Sequence, residues 1–209
     1  MSLFQPLEGT PASVHALVLA AGAGTRFGSA KQLVRLAGRP LLHHAVGRAV
    51  EVAGHAVTVV LGAHAAQLTP LLKHTPASVV INRDWSEGIG SSIRAGVAQL
   101  PPSCDGVLLL LADQAAVTSE DLRRLIAAWR REPGRVAAAQ YEGTIGVPAI
   151  FPRSHLASLA QLRGDQGART LLRRQSDHVL RVPIPNAAID IDTPEDLLRI
   201  ADTGDELGR

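Results

Sequence analysis

"LVLAAGAGTRFGSAKQL", Leu17 to Leu33, begins as an apolar run and ends in glycines and two cations. The run reaches back to Val14 without alternating, which is the pattern of a strand covered on both faces. In open α/β sheets, ligands bind beyond the carboxyl ends of such strands. A glycine loop at that position lets backbone N–H groups approach an anion, and Arg26 and Lys31 add positive charge. A plain strand-to-helix turn with both cations in solvent fits the same residues. Lysine at 31 favours the anion: of 21 basic residues only Lys31 and Lys73 are lysines, and lysine is the compact point charge suited to phosphate.

The spacing departs from two familiar phosphate loops. Gly22, Gly24 and Gly28 make G-x-G-x-x-x-G, one residue longer than the dinucleotide fingerprint. The next apolar run, Ala56–Leu61, also ends without an acidic residue to grip a ribose. A P-loop needs its lysine directly after the last glycine, whereas Lys31 lies three residues beyond Gly28.

Outward from the loop, apolar runs predict further strands at Ser78–Asn82, Gly106–Ala112, Arg135–Tyr141, Val147–Phe151 and His178–Ile184. Helical apolar spacing occupies Pro40–Ala53, Ala63–Lys73, Ser91–Leu100 and Ser119–Arg131. Thr118–Asp121 supply hydroxyl caps and an acidic first turn, and Asp192 with Pro194 does the same for a last helix. Strand alternating with helix predicts a mainly parallel α/β sheet in one domain, residues 1–209. With 46% apolar and only 3% aromatic residues, its core must be aliphatic.

Composition also removes function classes. A net charge of +2, no basic block and few aromatic rings argue against nucleic-acid binding. Val14–Ala21 is too short to span a bilayer. The segment before it carries Glu8 and neither Lys nor Arg, the wrong flank for a secretory signal. Cys104 is the sole cysteine, which excludes an internal disulfide and favours a cytoplasmic setting.

Three strand ends carry polar groups: the loop itself, Asp113-Gln114 and Asp190/Asp192. Asp113 ends a run of four leucines, where a charge needs a partner or a metal. Asp190 and Asp192 share a face if "AIDIDTPED" is extended, although a helix cap explains Asp192 equally well. Two carboxylates beside a cationic glycine loop make a Mg²⁺–polyphosphate site. The eight histidines show no zinc-helix spacing, and Cys104 has no evident activating base, so covalent chemistry is unsupported.

These stretches together resemble the small nucleotidyltransferases of molybdenum-cofactor biosynthesis. "LAAGAGTRFGSAKQLVRLAGRPLL" resembles their opening pattern, "NRDWSEGIGSSIRAGV" their second signature and "LLLLADQ" their metal-binding strand end. "GVPAIF", "RGDQGARTLL" and "DIDTPEDL" resemble later segments, so the likeness runs from Val14 to Leu198. Within that group the cytidylyltransferases are nearest, through Ala21 in "LAAG" where guanylyltransferases usually have glycine. Alanine follows Asp113-Gln114 where the family commonly has proline, which leaves the shape of that turn open.

The resemblance implies a Rossmann-like nucleotidyltransferase fold with helices on both faces of the sheet. It implies transfer of CMP from CTP, with Mg²⁺, to the phosphate of molybdopterin, and transient contact with a molybdoenzyme. Carried over by position, Ala20, Ala21, Gly22, Gly24, Thr25, Arg26 and Lys31 would hold the nucleotide, with Lys31, Arg26 and Asp113 catalytic. Asn82, Gly88, Ser91 and Ser92 would lie beside base or ribose, a helix-capping role being the alternative for the serines. Asp113 and Asp192, with Asp190 as the alternative, would bind the metal. A guanylyltransferase, another small-phosphate nucleotidyltransferase and a non-catalytic cofactor carrier are the competing functions.

Overall fold

Strand β1, Val14–Ala20, lies deep in a seven-stranded sheet, and its side chains alternate between two aliphatic cores. Ala16, Val18 and Ala20 face one core, and Leu17 and Leu19 the other. That two-sided burial is why the run reads as continuously apolar. The computed structural model describes residues 11–24, 30–174, 176–189 and 191.

A two-residue hairpin, β2 (Arg35–Leu36) and β3 (Arg39–Pro40), follows the loop, turning through Ala37 and Gly38 at positive φ. Helix α1 (Leu41–Ala53), β4 (Val57–Leu61), a short α2 (Ala65–Leu68), β5 (Ser78–Ile81), α3 (Ile89–Val97) and β6 (Gly106–Leu111) complete the parallel half. Then come α4 (Ser119–Arg131), β7 (Ala137–Tyr141), β8 (Thr144–Pro152), a short α5 (Leu156–Leu159), α6 (Ala168–Arg174) and β9 (Leu180–Pro183).

The strand order is β5-β4-β1-β6-β8-β7-β9. Strand β8 alone runs antiparallel to its neighbours β6 and β7, because it forms a tight hairpin with β7 across Glu142-Gly143. Helices α1 and α4 cover one face, and α3, α5 and α6 the other. The chain thus has the mostly parallel sheet with helices on both faces expected of it.

Several elements differ from the sequence expectation, which held neither the β2–β3 hairpin nor α5 and α6. Pro70 cannot donate an N–H, so the helix expected over Ala63–Lys73 is α2 followed by a 3₁₀ turn at Thr69–Leu72. Helix α3 starts at Ile89 rather than Ser91. Strand β5 is an edge strand with partly exposed side chains, so Ser78–Ile81 is apolar without being covered on both faces. The hydroxyl cap read at the start of α4 forms, and Asp121 completes it as a capping box: Thr118 Oγ1 accepts from Asp121 N, and Asp121 Oδ2 accepts from Thr118 N. The last predicted helix, with Pro194, lies outside the described residues. Among the described residues no helix is long and apolar enough to cross a membrane.

Candidate active site

A cleft of about 530 Å³ opens over the carboxyl ends of β1 and β6. Its first wall is Ala20–Gly24, and the carbonyls of Ala20 to Ala23 are all tied back into the protein. Buried Gln32 donates through Nε2 to Ala20 O at 3.0 Å and Gly22 O at 2.9 Å. Ala63 N donates to Ala21 O at 3.1 Å, and His64 Nε2 to Ala23 O at 2.8 Å. With those negative ends engaged elsewhere, the wall can face an anion without carbonyl repulsion. Gly24 has φ +62°, a conformation that favours glycine. At Gly22 neither φ nor packing among the described residues requires glycine, since none of their atoms lies within 4 Å of where its Cβ would stand.

Between the walls stand Lys31, on a 3₁₀ turn after the loop, and Asp113, just beyond β6. Lys31 Nζ donates to Asp113 Oδ2 at 3.0 Å, with the lysine side chain only 12% exposed. Asp113 Oδ1 is buried and accepts no hydrogen bond from the described residues. A carboxylate oxygen buried in this way is costly unless a cation or donor joins it. Among the described residues no three His, Cys, Asp or Glu side chains gather around a metal position.

The second wall comprises Trp85, Ser86, Gly88, Ile89 and Ser92. Gly88 has φ +120°, and a Cβ there would lie 2.5 Å from the carbonyl carbon and oxygen of Gly164. Gly90 N donates to that carbonyl at 3.0 Å, and Gly164 N donates to Glu87 Oε1 at 3.1 Å. Arg94 pairs with Glu87 and donates to Leu162 O at 2.6 Å. The Arg94 hydrogen bond, with the Gly164 N–H beside it, pulls the Glu87 carboxyl down to a pKa of about 2. The 162–164 loop is therefore latched to this wall from outside.

Of the residues singled out in the sequence, Ala20, Ala21, Gly22, Gly24, Lys31, Gly88, Ser92 and Asp113 line the cleft together. Asn82 and Ser91 do not, and they sit behind the second wall instead. Asn82 Nδ2 donates to Ser91 Oγ at 2.8 Å and Ser92 Oγ at 3.1 Å, its Oδ1 accepts from Asp84 N, and Ser91 Oγ donates to Gly88 O. Their polar groups are spent on shaping the turn. The capping alternative for the serines fails too, since α3 has no side-chain cap bond to its first N–H groups. Thr25, Arg26, Gly28, Asp190 and Asp192 lie outside the described residues. Ile191, between those two aspartates, is buried and donates its N–H to Asp113 O at 3.2 Å.

Residues 16–179 match the MobA-like NTP transferase domain. The chain belongs to that family. It is 32% identical over 199 residues to nicotine blue oxidoreductase of Paenarthrobacter nicotinovorans, covering 90% of this chain and 96% of that one. The crystal structure of the Rv0371c homologue from Mycobacterium sp. strain JC1 superposes with a TM-score of 0.79 at 27% identity, covering 93% and 98% of the two chains. The manganese complex of Rv0371c from Mycobacterium tuberculosis H37Rv gives 0.76 at 25% identity, covering 92% and 100%.

Several residues that build this nucleotidyltransferase-family site left little mark in the sequence. Gln32 and His64 act on backbone carbonyls remote from them in the chain, and nothing local marks that role. Gln114, in the turn where the family commonly has Asp-Gln-Pro, donates to Val147 O at 3.0 Å and Ala187 O at 3.1 Å. Asn186 Nδ2 adds a bond to Asp121 Oδ2 at 3.0 Å. These contacts lead the chain from β9 back across the sheet to Ile191 and Asp113.

Proposed function

We propose that this protein transfers CMP from CTP to the phosphate of a molybdopterin-type acceptor and releases pyrophosphate. The observation that carries the reading is a charged pair, Lys31 and Asp113, beside a glycine wall whose Ala20 to Ala23 carbonyls are tied back into the protein. This is the chemistry of a polyphosphate seat. Gly22 adds to it: the space its missing Cβ leaves meets no atom of the described residues, which suits close approach of a ligand.

The residues fit a divalent cation. Asp113 Oδ1 is a buried acceptor without a partner among the described residues, and Ile191 N on Asp113 O brings the chain between Asp190 and Asp192 to the same strand end. Asp113 and Asp192, or Asp190 in its place, would hold Mg²⁺, which binds through one or two carboxylates together with substrate phosphates. Bound there, the ion would neutralise charge on the phosphates.

The acceptor phosphate is already ionised near neutral pH, so attack on the α-phosphorus requires no general base. That agrees with a cleft whose charged lining, among the described residues, is Lys31 and Asp113 alone. Lys31 pairs with Asp113, and it is the cation that would meet a triphosphate. Arg26 would add a second. The chain's work is alignment and charge neutralisation on a pre-shaped surface. The preference for cytosine rests on Ala21, whose methyl narrows the wall that guanylyltransferases of this group leave as glycine.

Nicotine blue oxidoreductase raises a second activity. Here G-x-G-x-x-x-G spacing and a β4 that runs into Gly62 with no acidic residue disfavour a dinucleotide. A cofactor carrier would have no use for a metal-ready carboxylate. One experiment separates all three: CTP, GTP, ATP and UTP are each supplied with Mg²⁺ and molybdopterin-type acceptors and pyrophosphate is scored, with NADH and NADPH oxidation by nicotine blue as electron acceptor measured in parallel. Pyrophosphate from CTP is the expected result. Nicotinamide oxidation without pyrophosphate, or acceptor binding without either, overturns the proposal.

A further inference from the structure

Trp85 is one of only two tryptophans, and the two lie toward opposite ends of β6. Trp129 is wholly buried against Gly106, the first residue of that strand, where a Cβ would come within 2.5 Å of the indole. Trp85 stands at the other end, 36% exposed, and is the one aromatic side chain lining the cleft among the described residues.

The fold holds it there firmly. A Cβ on Gly62 would lie 2.6 Å from both Ala21 O and Trp85 Cβ, so the loop after β1 and the Trp85 stem meet over a glycine that must stay bare. On one side Asp84 N donates to Asn82 Oδ1, and on the other Glu87 is pinned by Arg94 and Gly164 N. Leaving a large apolar ring half in water forgoes burial energy. A fixed, exposed ring inside a cleft is instead preorganised for a flat ligand.

We propose that the Trp85 indole is the stacking platform for the base of the donor nucleotide. The inference rests on the nucleotidyltransferase reading and adds a residue which that reading does not use. Its chemistry selects the base rather than the phosphates: the uncharged π face stands beside Ala21, while the charged groups lining the cleft among the described residues are Lys31 and Asp113. Stacking tolerates any base because every base presents a π face. Trp85 therefore supplies affinity, and Ala21 supplies choice.

The test uses tryptophan emission, with Trp129 as a constant background, and steady-state kinetics. CTP and CMP should quench the emission, whereas tripolyphosphate, which has no base, should bind as a competitor and leave it unchanged. Trp85→Ala should raise KM for CTP and GTP alike by about five- to a hundredfold, leaving their ratio and the tripolyphosphate inhibition constant as in wild type. Trp85→Phe, which keeps a π face, should bring KM back to within about threefold. If Trp85→Ala weakens tripolyphosphate as much as CTP, the indole merely props the loop and the proposal fails. If it raises the acceptor KM alone, the ring stacked is the acceptor's, and the proposal fails equally. CTP that quenches Trp85 while no acceptor yields pyrophosphate upholds the stack and overturns the transfer reading. A wild type that binds neither CTP nor tripolyphosphate overturns both.

Discussion

The two walls of the cleft share hydrogen-bonded backbones and differ in what packs beside their glycines. Ala20–Gly24 is held by hydrogen bonds from Gln32, His64 and Ala63 to its carbonyls, while the space beside Gly22 stays open. Trp85–Ser92 adds close packing to its hydrogen bonds: Gly88 sits against Gly164 with no room for a methyl, and an ion pair closes the contact from outside. Tethering carbonyls sets the electrostatic face of a wall and leaves room over it. Close packing fixes a shape and consumes the room. The first wall is thus suited to a charged, variable ligand, and the second to holding a surface in place.

The largest effect expected lies between the walls. Asp113→Asn should cost at least about a hundredfold in kcat/KM, and Lys31→Ala about ten- to a hundredfold, corresponding to roughly 1.5–3 kcal/mol for one charge-assisted contact. The double variant should fall well short of the product, because both act on one charge cluster. Thermal unfolding of Asp113→Asn should drop by no more than about 5 °C, since the pair it breaks is only partly buried. Full additivity in pyrophosphate-release assays would mean the two residues serve separate ends.

Next comes a matched pair of glycines. Gly22→Ala should fold with unchanged Tm and raise KM for the nucleotide. Gly88→Ala should lose roughly 1–3 kcal/mol of stability through its positive φ and its overlap with Gly164. Equal losses of Tm in a side-by-side melt would break the contrast between the walls. A Gly22→Ala enzyme with wild-type KM would remove the reason given for glycine at that position.

A smaller change is expected from Ala21→Gly, which should raise GTP use relative to CTP within the roughly ten- to two-hundredfold range available to one methyl. Competition between labelled CTP and GTP reads it directly, and an unchanged ratio would move base choice away from Ala21. The smallest effect concerns the latch. Glu87 is ionised down to a pKa of about 2, against its ordinary 4.5, so its folded form binds fewer protons than the unfolded chain in between. Its contribution is complete above about pH 4.5 and fades as pH falls toward 2. Wild type and Glu87→Gln should therefore differ most above pH 4.5 and converge toward pH 2 in denaturant melts. A difference constant with pH would mean that the latch does not act through the Glu87 charge.

Much of the fold was legible because strands covered on both faces must be apolar throughout. Val14–Ala20 and the leucines before Asp113 could be nothing else. The hairpin Tyr141–Thr144 was harder: it turns β8 antiparallel through a local glycine, and apolar pattern carries no direction. Within the site, glycines, Lys31 and Asp113 announced themselves by type and by their place after strands. Asn82 and Ser91 were legible as important and misplaced as ligand contacts, because a sequence cannot say whether a polar group faces a cleft or a neighbouring turn.

Sequence alone determined the order of the seven main-sheet strands and of helices α1, α3 and α4, the strand ends where charge collects, and a glycine loop unlike the dinucleotide and P-loop patterns. Those properties follow from side-chain chemistry and local periodicity. Tertiary structure decided which distant groups meet: Gln32 and His64 on the loop carbonyls, Gly88 on Gly164, Trp85 over Gly62, and Ile191 on Asp113. Each of these contacts depends on the sheet order, and sheet order is fixed by how two aliphatic cores close around β1, a cooperative outcome of packing that no local stretch encodes.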